Sequence, residues 1–193
     1  MTTPHGRGGR SRLLCVKAVE PSEGRARIVA AQQLAALAEI GALLDRRGFE
    51  SWLFGGWAVD FYAGAVTRGH GDIDLAVWAR DAEALGSLLE EAGWGHEPAP
   101  AENGGTGYTQ RGVRVELTYL VRDPGGRIVI PLREQNTVWS DQPLENEVRE
   151  LQGVRARVVP LALLQSSKAS PRDDPDDAAK DRADSHLLSR LPP

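Results

Sequence analysis

Apolar positions recur at helical spacing from Ala26 to Arg47, where Leu34, Leu37, Ile40 and Leu44 line one side and Gly48 stands where a helix would end. The run "SWLFGG" then reads as a short strand closed by glycines, and "GWAVDFYAG" as a short helix ended by Gly64. In "DIDLAVW" the period changes to two. Ile73, Leu75 and Val77 share one face, and Asp72, Asp74 and Ala76 the other. A helix over Asp81 to Ala92 turns Leu85, Leu88 and Leu89 inward, with Gly93 after it.

The second half is shorter-stepped. "GYTQR" and "VRVELTYL" flank Gly112 as a hairpin, behind a Pro- and Gly-rich loop, "HEPAPAENGGTG". "RIVIPL" and "EVRELQGVRARVV" add edge strands, the latter as a second hairpin about Gln152-Gly153. Pro160 opens a helix, and a last helix starts at Asp174-Pro175, with Asp176 and Asp177 favouring its positive end. The order predicts an α+β domain, a mixed sheet with helices mainly on one side and a short helical C-terminal segment. The expected division is a disordered basic tail over 1–25, a core over 26–160 and a helical segment over 161–193.

Composition narrows the class. Hydrophobic residues at 41% and charged residues at 26% are those of a soluble globule, and no apolar run is expected to reach the roughly 20 residues of a membrane span. No secretory leader is recognised, and a single cysteine, Cys15, excludes an internal disulfide and a cysteine-zinc cluster. The expected location is cytoplasmic. The first 27 residues hold Arg7, Arg10, Arg12, Lys17, Arg25 and Arg27 against Glu20 and Glu23, so the rest of a chain of net charge -4 is acidic. That balance disfavours nucleic acid as the main partner and suits a cationic small molecule.

The chemistry concentrates in "FGGWAVDFYAGAVTRGHGDIDLAVW". Asp72 and Asp74, two apart on a strand, leave the same face, and two such charges in a core call for a cation. Mg²⁺ takes oxygen ligands of this kind together with substrate phosphates. Gly55-Gly56, between a strand and a helix start, lets backbone N–H groups approach a phosphate, or serves only as a tight turn. Glu116, mid-strand in "VRVELTY", can supply a third carboxylate or pair with Arg114.

The combined pattern Gly55-Gly56-Trp57-Ala58-Val59-Asp60, then Thr67-Arg68, His70, Asp72-Ile73-Asp74, resembles the aminoglycoside 2″-nucleotidyltransferases and small lincosamide nucleotidyltransferases of the DNA polymerase β-like superfamily. The strong match covers about 25 residues. The resemblance implies Gly55 and Gly56 at the triphosphate of ATP or another nucleoside triphosphate, Asp72 and Asp74 on Mg²⁺, and Glu116 as metal ligand, base, or both. It puts Arg68 and His70 beside the nucleotide, although His70 can equally be a structural bond holding the loop. Trp57 reads as core. Lys168 matches a family lysine that could meet phosphate, and "KDRAD" (Lys180, Asp181, Asp184) a second family pattern, with an ion pair to Asp176 or Asp184 as the other role of Lys180. The insertion "ASPRDDPDDAA" between them departs from the pattern.

The implied activity is transfer of AMP, or another nucleoside monophosphate, to a hydroxyl of a small molecule such as an aminoglycoside or lincosamide, with release of pyrophosphate. Glu102, Tyr108 and Trp139 lie in segments that can reach the acceptor. The rival readings are a nucleotide-binding module without turnover and a protein-nucleotidylating enzyme of the toxin–antitoxin type. The chain is expected to act as a monomer or homodimer.

Overall fold

The computed structural model describes residues 21–98, 104–170 and 172–191. Glu102 and Cys15 lie outside them, as does the expected tail over residues 1–20. Helix α1 (Pro21–Arg47) opens on a proline, begins five residues before the periodicity predicted, and so takes in the last five residues of that tail. Its buried stripe is Leu34, Leu37, Ile40 and Leu44. By length and composition, Gly24–Arg47 does meet the requirements of a membrane span, contrary to the expectation above. That stripe belongs instead to the hydrophobic core.

Strand β1 (Ser51–Phe54) runs straight into α2 (Gly55–Ala63), which ends at Gly64 in the left-handed conformation. Strand β2 (Ile73–Trp78) follows, then a single 3₁₀ turn (Ala79–Asp81) and α3 (Ala82–Glu91). The turn accounts for the helix start predicted at Asp81. Strands β3 (Gly95–Glu97), β4 (Gly105–Gln110), β5 (Val113–Arg122), β6 (Ile128–Ile130) and β7 (Thr137–Ser140) complete the sheet. Its order is β1-β2-β5-β4-β3, with β6 on the far end of β5 and β7 beside β6. Among the described residues β2 and β5 are the one parallel pair of strands, so the sheet is mixed, as expected. The β4–β5 hairpin turns through Arg111 and Gly112, both at positive φ.

β8 (Val148–Leu151) and β9 (Val154–Arg157) form the hairpin predicted about Gln152-Gly153. They are not edge strands of the main sheet but a separate two-stranded ribbon, tied to it by a bridge between Leu53 and Val158. Helices α4 (Leu161–Ala169) and α5 (Pro175–Leu188) pack on each other and on α2. Asp174 caps α5 by accepting from the backbone N–H groups of Asp176 and Asp177.

The alternation in β2 and β5 decides where the cleft lies. Ile73, Leu75, Val77, Val115 and Leu117 are all buried on one face. Phe54, Asp74 and Glu116 occupy neighbouring register positions on the other. Farther along that second face Trp52 and Trp78 meet edge to face at 5.7 Å and close it. The polar end is left open toward α4 and α5.

Candidate active site

A cleft of about 490 Å³ opens at this polar end. Its floor is the β1–α2 junction. Gly55 sits at φ 66°, and a side chain there would run into the Asp74 carboxylate. Gly56 is helical, and a Cβ on it would meet Arg68 and come within 2.6 Å of His70 Nδ1. Close approach therefore requires both glycines, and conformation requires Gly55 as well. They also leave the first N–H groups of α2 at the cleft, where an anion is favoured.

One wall is acidic. Asp74 lies opposite Glu116 in the parallel β2–β5 register, so their side chains rise from one face at the spacing of adjacent strands, about 4.8 Å. Asp72, at the start of the same face, lines the cleft with them. Burial, then the charges of Asp72 and Glu116, push the Asp74 carboxyl up to about 7, and Lys168 and Arg172 offset only part of this. A divalent cation would relieve that repulsion, and acceptor-only oxygens suit Mg²⁺. The fit is to an open site. Among the described residues no three His, Cys, Asp or Glu side chains are gathered closely enough to cage an ion by themselves. Glu116 is half-exposed and pairs with Arg114 at 3.0 Å, the alternative open in the sequence, while Arg114 also reaches Glu97 at 3.5 Å. Asp72 and Asp74 could hold a metal there, with phosphate and water oxygens completing its shell.

The opposite wall is cationic and comes from α4, α5, the link between them and the loop before β2. Arg68, Lys168, Arg172 and Lys180 all line the cleft. Lys168 is not free, however. Its ammonium is buried between Asp181 at 2.8 Å and Asp184 at 2.9 Å. Lys168 lines the cleft as expected, and the two carboxylates make it a buried ionic hub, since an unpaired ammonium at that depth would be too costly. Lys180 pairs with Asp177 at 2.8 Å, one turn away, and not with Asp176 or Asp184. Arg172, which the sequence reasoning did not single out, bonds Asp181 through Nε at 2.7 Å and remains half-exposed. Its only sequence signal was a basic residue inside the unfamiliar insertion.

Arg68 bonds both oxygens of Asp184, at 3.2 and 3.0 Å. Burial lowers the basicity of its guanidinium, but the hydrogen bond and charge of Asp184 outweigh this and hold it protonated more firmly than usual. Burial likewise works against the Asp184 carboxylate, and Arg68 and Lys168 overcome it, so this carboxyl lies below its usual range. The His70 side chain is only 3% exposed and lies 2.6 Å from Asp60. It packs against Gly56 at the glycine junction and stacks on Trp57 at 4.4 Å, the structural role open in the sequence, while it also lines the cleft. Trp57 is core, as expected, at 1% exposure. Asp60, fully buried, appeared in the motif without a role.

Of the acceptor candidates, Trp139 lines the cleft edge to face with Phe54 at 5.5 Å. Tyr108 does not. It is buried against His96 and α3, outside the residues lining the cleft.

A mixed sheet whose parallel pair carries adjacent carboxylates above a glycine junction is the architecture of the nucleotidyltransferases. The same fold is found in the lincomycin-bound lincosamide antibiotic adenylyltransferase LnuA, with a TM-score of 0.63 at 16% identity over 83% of this chain and 97% of that one. It recurs in ANT(2″)-Ia in complex with adenylyl-2″-tobramycin, with a TM-score of 0.57 at 19% identity over 81% and 87% of the two chains. In sequence, residues 36–184 match the aminoglycoside-2″-adenylyltransferase family, and the chain belongs to that family. A 2″-aminoglycoside nucleotidyltransferase of Klebsiella pneumoniae is 38% identical over 61 residues, 32% of this chain and 34% of that protein. An Escherichia coli relative of the same description matches to the same extent. The aligned stretch thus spans about a third of the length of these curated relatives.

Proposed function

We propose that the protein is a Mg²⁺-dependent nucleotidyltransferase that moves AMP from ATP to a hydroxyl of an aminoglycoside-like small molecule, releasing pyrophosphate. The observation that carries this reading is the two-sided cleft, with Asp72, Asp74 and Glu116 facing Arg68 and Arg172 across the Gly55-Gly56 junction. The core over 26–160 supplies the carboxylates, the junction and Arg68, and the segment over 161–193 the rest of the cationic wall.

In the reaction, an acceptor oxygen attacks the α-phosphorus, the bond from that phosphorus to the β-phosphate oxygen breaks, and pyrophosphate departs with the electron pair. The hydroxyl proton passes to Glu116, which lines the cleft half-exposed beside Arg114. Asp72 and Asp74 would hold Mg²⁺, which supplies charge neutralisation to the phosphates. The junction N–H groups and Arg172 orient the triphosphate, so that much of the rate comes from positioning and fixed charge. Lys168 acts indirectly, by holding Asp181 and Asp184 under the cationic wall. Trp139 and Phe54 offer an apolar edge at the cleft. The acidic balance of the chain beyond its first 27 residues attracts a cationic acceptor. Dependence on a nucleoside triphosphate agrees with a cytoplasmic setting.

The test is incubation with Mg²⁺, labelled ATP and a panel of aminoglycosides, lincosamides and a protein lysate. Pyrophosphate release with label on an aminoglycoside is expected. Label on a protein band would replace the reading with protein nucleotidylation, and ATP binding without release with a binding module.

A further inference from the structure

The loop over residues 64–70 is organised by one carboxylate, Asp60, which is 0% exposed. Its Oδ1 accepts from the Thr67 backbone N–H at 3.1 Å and from the Thr67 hydroxyl at 2.5 Å. Its Oδ2 lies 2.6 Å from His70 Nε2. The other ring nitrogen, Nδ1, lies 3.1 Å from Arg68 Nη1. A guanidinium can only donate. Nδ1 must therefore accept, and the single ring proton sits on Nε2, donated to Asp60. Neither the other tautomer nor a doubly protonated ring is compatible with this contact.

We propose that Asp60 and His70 are positioning residues for Arg68, a carboxylate–imidazole–guanidinium chain locked in one tautomer that aims the guanidinium at the cleft. Three further features frame the residue. Gln33 donates to the His70 carbonyl at 3.1 Å, Trp57 stacks on the imidazole at 4.4 Å, and Gly56 leaves the space a Cβ would fill. The far side of Arg68 is fixed by Asp184 on α5, so the chain joins α2, the loop and α5. A ring in the other tautomer would present Nδ1–H to Arg68 and push it away, and the guanidinium would leave the cleft wall.

The chain can be read without turnover. Two-bond ¹H–¹⁵N correlations of the histidine ring nitrogens, with His70 assigned by its loss in His70→Gln, are expected to show the Nε2–H tautomer. In Asp60→Asn the amide oxygen must serve Thr67, so its NH₂ faces Nε2 and the ring proton moves to Nδ1. A His70 carrying its proton on Nδ1, or on both nitrogens, in the unaltered protein overturns the proposal. The second arm measures ATP·Mg²⁺ affinity and rests on the proposed function. His70→Leu is expected to weaken binding about tenfold, the scale of one charged hydrogen bond. His70→Gln, whose amide can accept from Arg68 and donate to Asp60, restores most of it, and Arg68→Ala makes the His70→Leu loss non-additive. Equal losses in His70→Leu and His70→Gln, or full additivity with Arg68→Ala, overturn it. If the unaltered protein binds no ATP, the proposed function fails while the tautomer still decides the chain.

Discussion

Asp74 and Glu116 stand side by side on the parallel strand pair β2–β5 of the main sheet, and Asp72 lies two residues from Asp74 on the same side. In metal-free protein this crowding has a thermodynamic signature. The folded Asp74 carboxyl is pushed up to about 7, whereas an unfolded aspartate ionises near its ordinary value of 3.8. Between those values the folded state binds the extra proton, so stability falls as pH rises through the window. Asp74→Asn removes that loss. Thermal melts without metal should show the variant more stable than the parent at pH 8 by on the order of 1–3 kcal/mol, and little different at pH 4. Added Mg²⁺ should raise the melting temperature of the parent and leave that of Asp74→Asn nearly unmoved. A variant no more stable at pH 8 would mean that the three carboxylates are not crowded.

Glu116 and its partner Arg114 separate a base from a surface ion pair. If Glu116 takes the acceptor proton, Glu116→Gln should lower kcat by about 10²–10⁴-fold with the KM for ATP almost unchanged. Arg114→Ala, which removes the 3.0 Å pair and the 3.5 Å contact with Glu97, should change kcat by less than about tenfold. Comparable losses in both variants would assign the pair a structural role.

The lysines of the cationic wall should behave in opposite ways. Lys168→Met takes one of two cations from each of Asp181 and Asp184, which keep Arg172 and Arg68, and is expected to cost about 1–3 kcal/mol in denaturant unfolding. Lys180→Met removes an exposed pair and should leave the melting temperature unchanged. A Lys168→Met protein of full stability that lost only ATP affinity would restore the direct phosphate role.

At the floor of the cleft, Gly55→Ala combines a positive φ with a collision against Asp74, and Gly56→Ala collides with Arg68 and His70. Each should lower stability by about 1–3 kcal/mol and weaken ATP binding, measured by melting and calorimetry. A Gly56→Ala variant with full affinity would show that the loop can yield.

The elements were largely legible because their signals are local. Period two in β2 and β5, period 3.6 in α1 and α3, and the cap at Asp174 follow from neighbours along the chain. What failed was association. The β8–β9 hairpin was recognised, but hairpin signals say nothing about which sheet it joins. Strand β7 was missed because Thr137–Ser140 is short, exposed and without alternation. The 24-residue stretch from Gly24 passes for a span because hydropathy does not register that one side packs into the core.

The sequence by itself determined the family motif, the glycine junction and the facing of Asp72, Asp74 and Glu116, since each rests on residue type and strand parity. Only the tertiary structure decided how the charges are spent. It gave Lys168 to Asp181 and Asp184, Arg68 to Asp184, Glu116 to Arg114, and His70 to Asp60. The Arg68–Asp184 pair joins groups 116 residues apart. Whether a buried charge meets a partner or a ligand depends on distances across the fold, which a linear pattern does not contain.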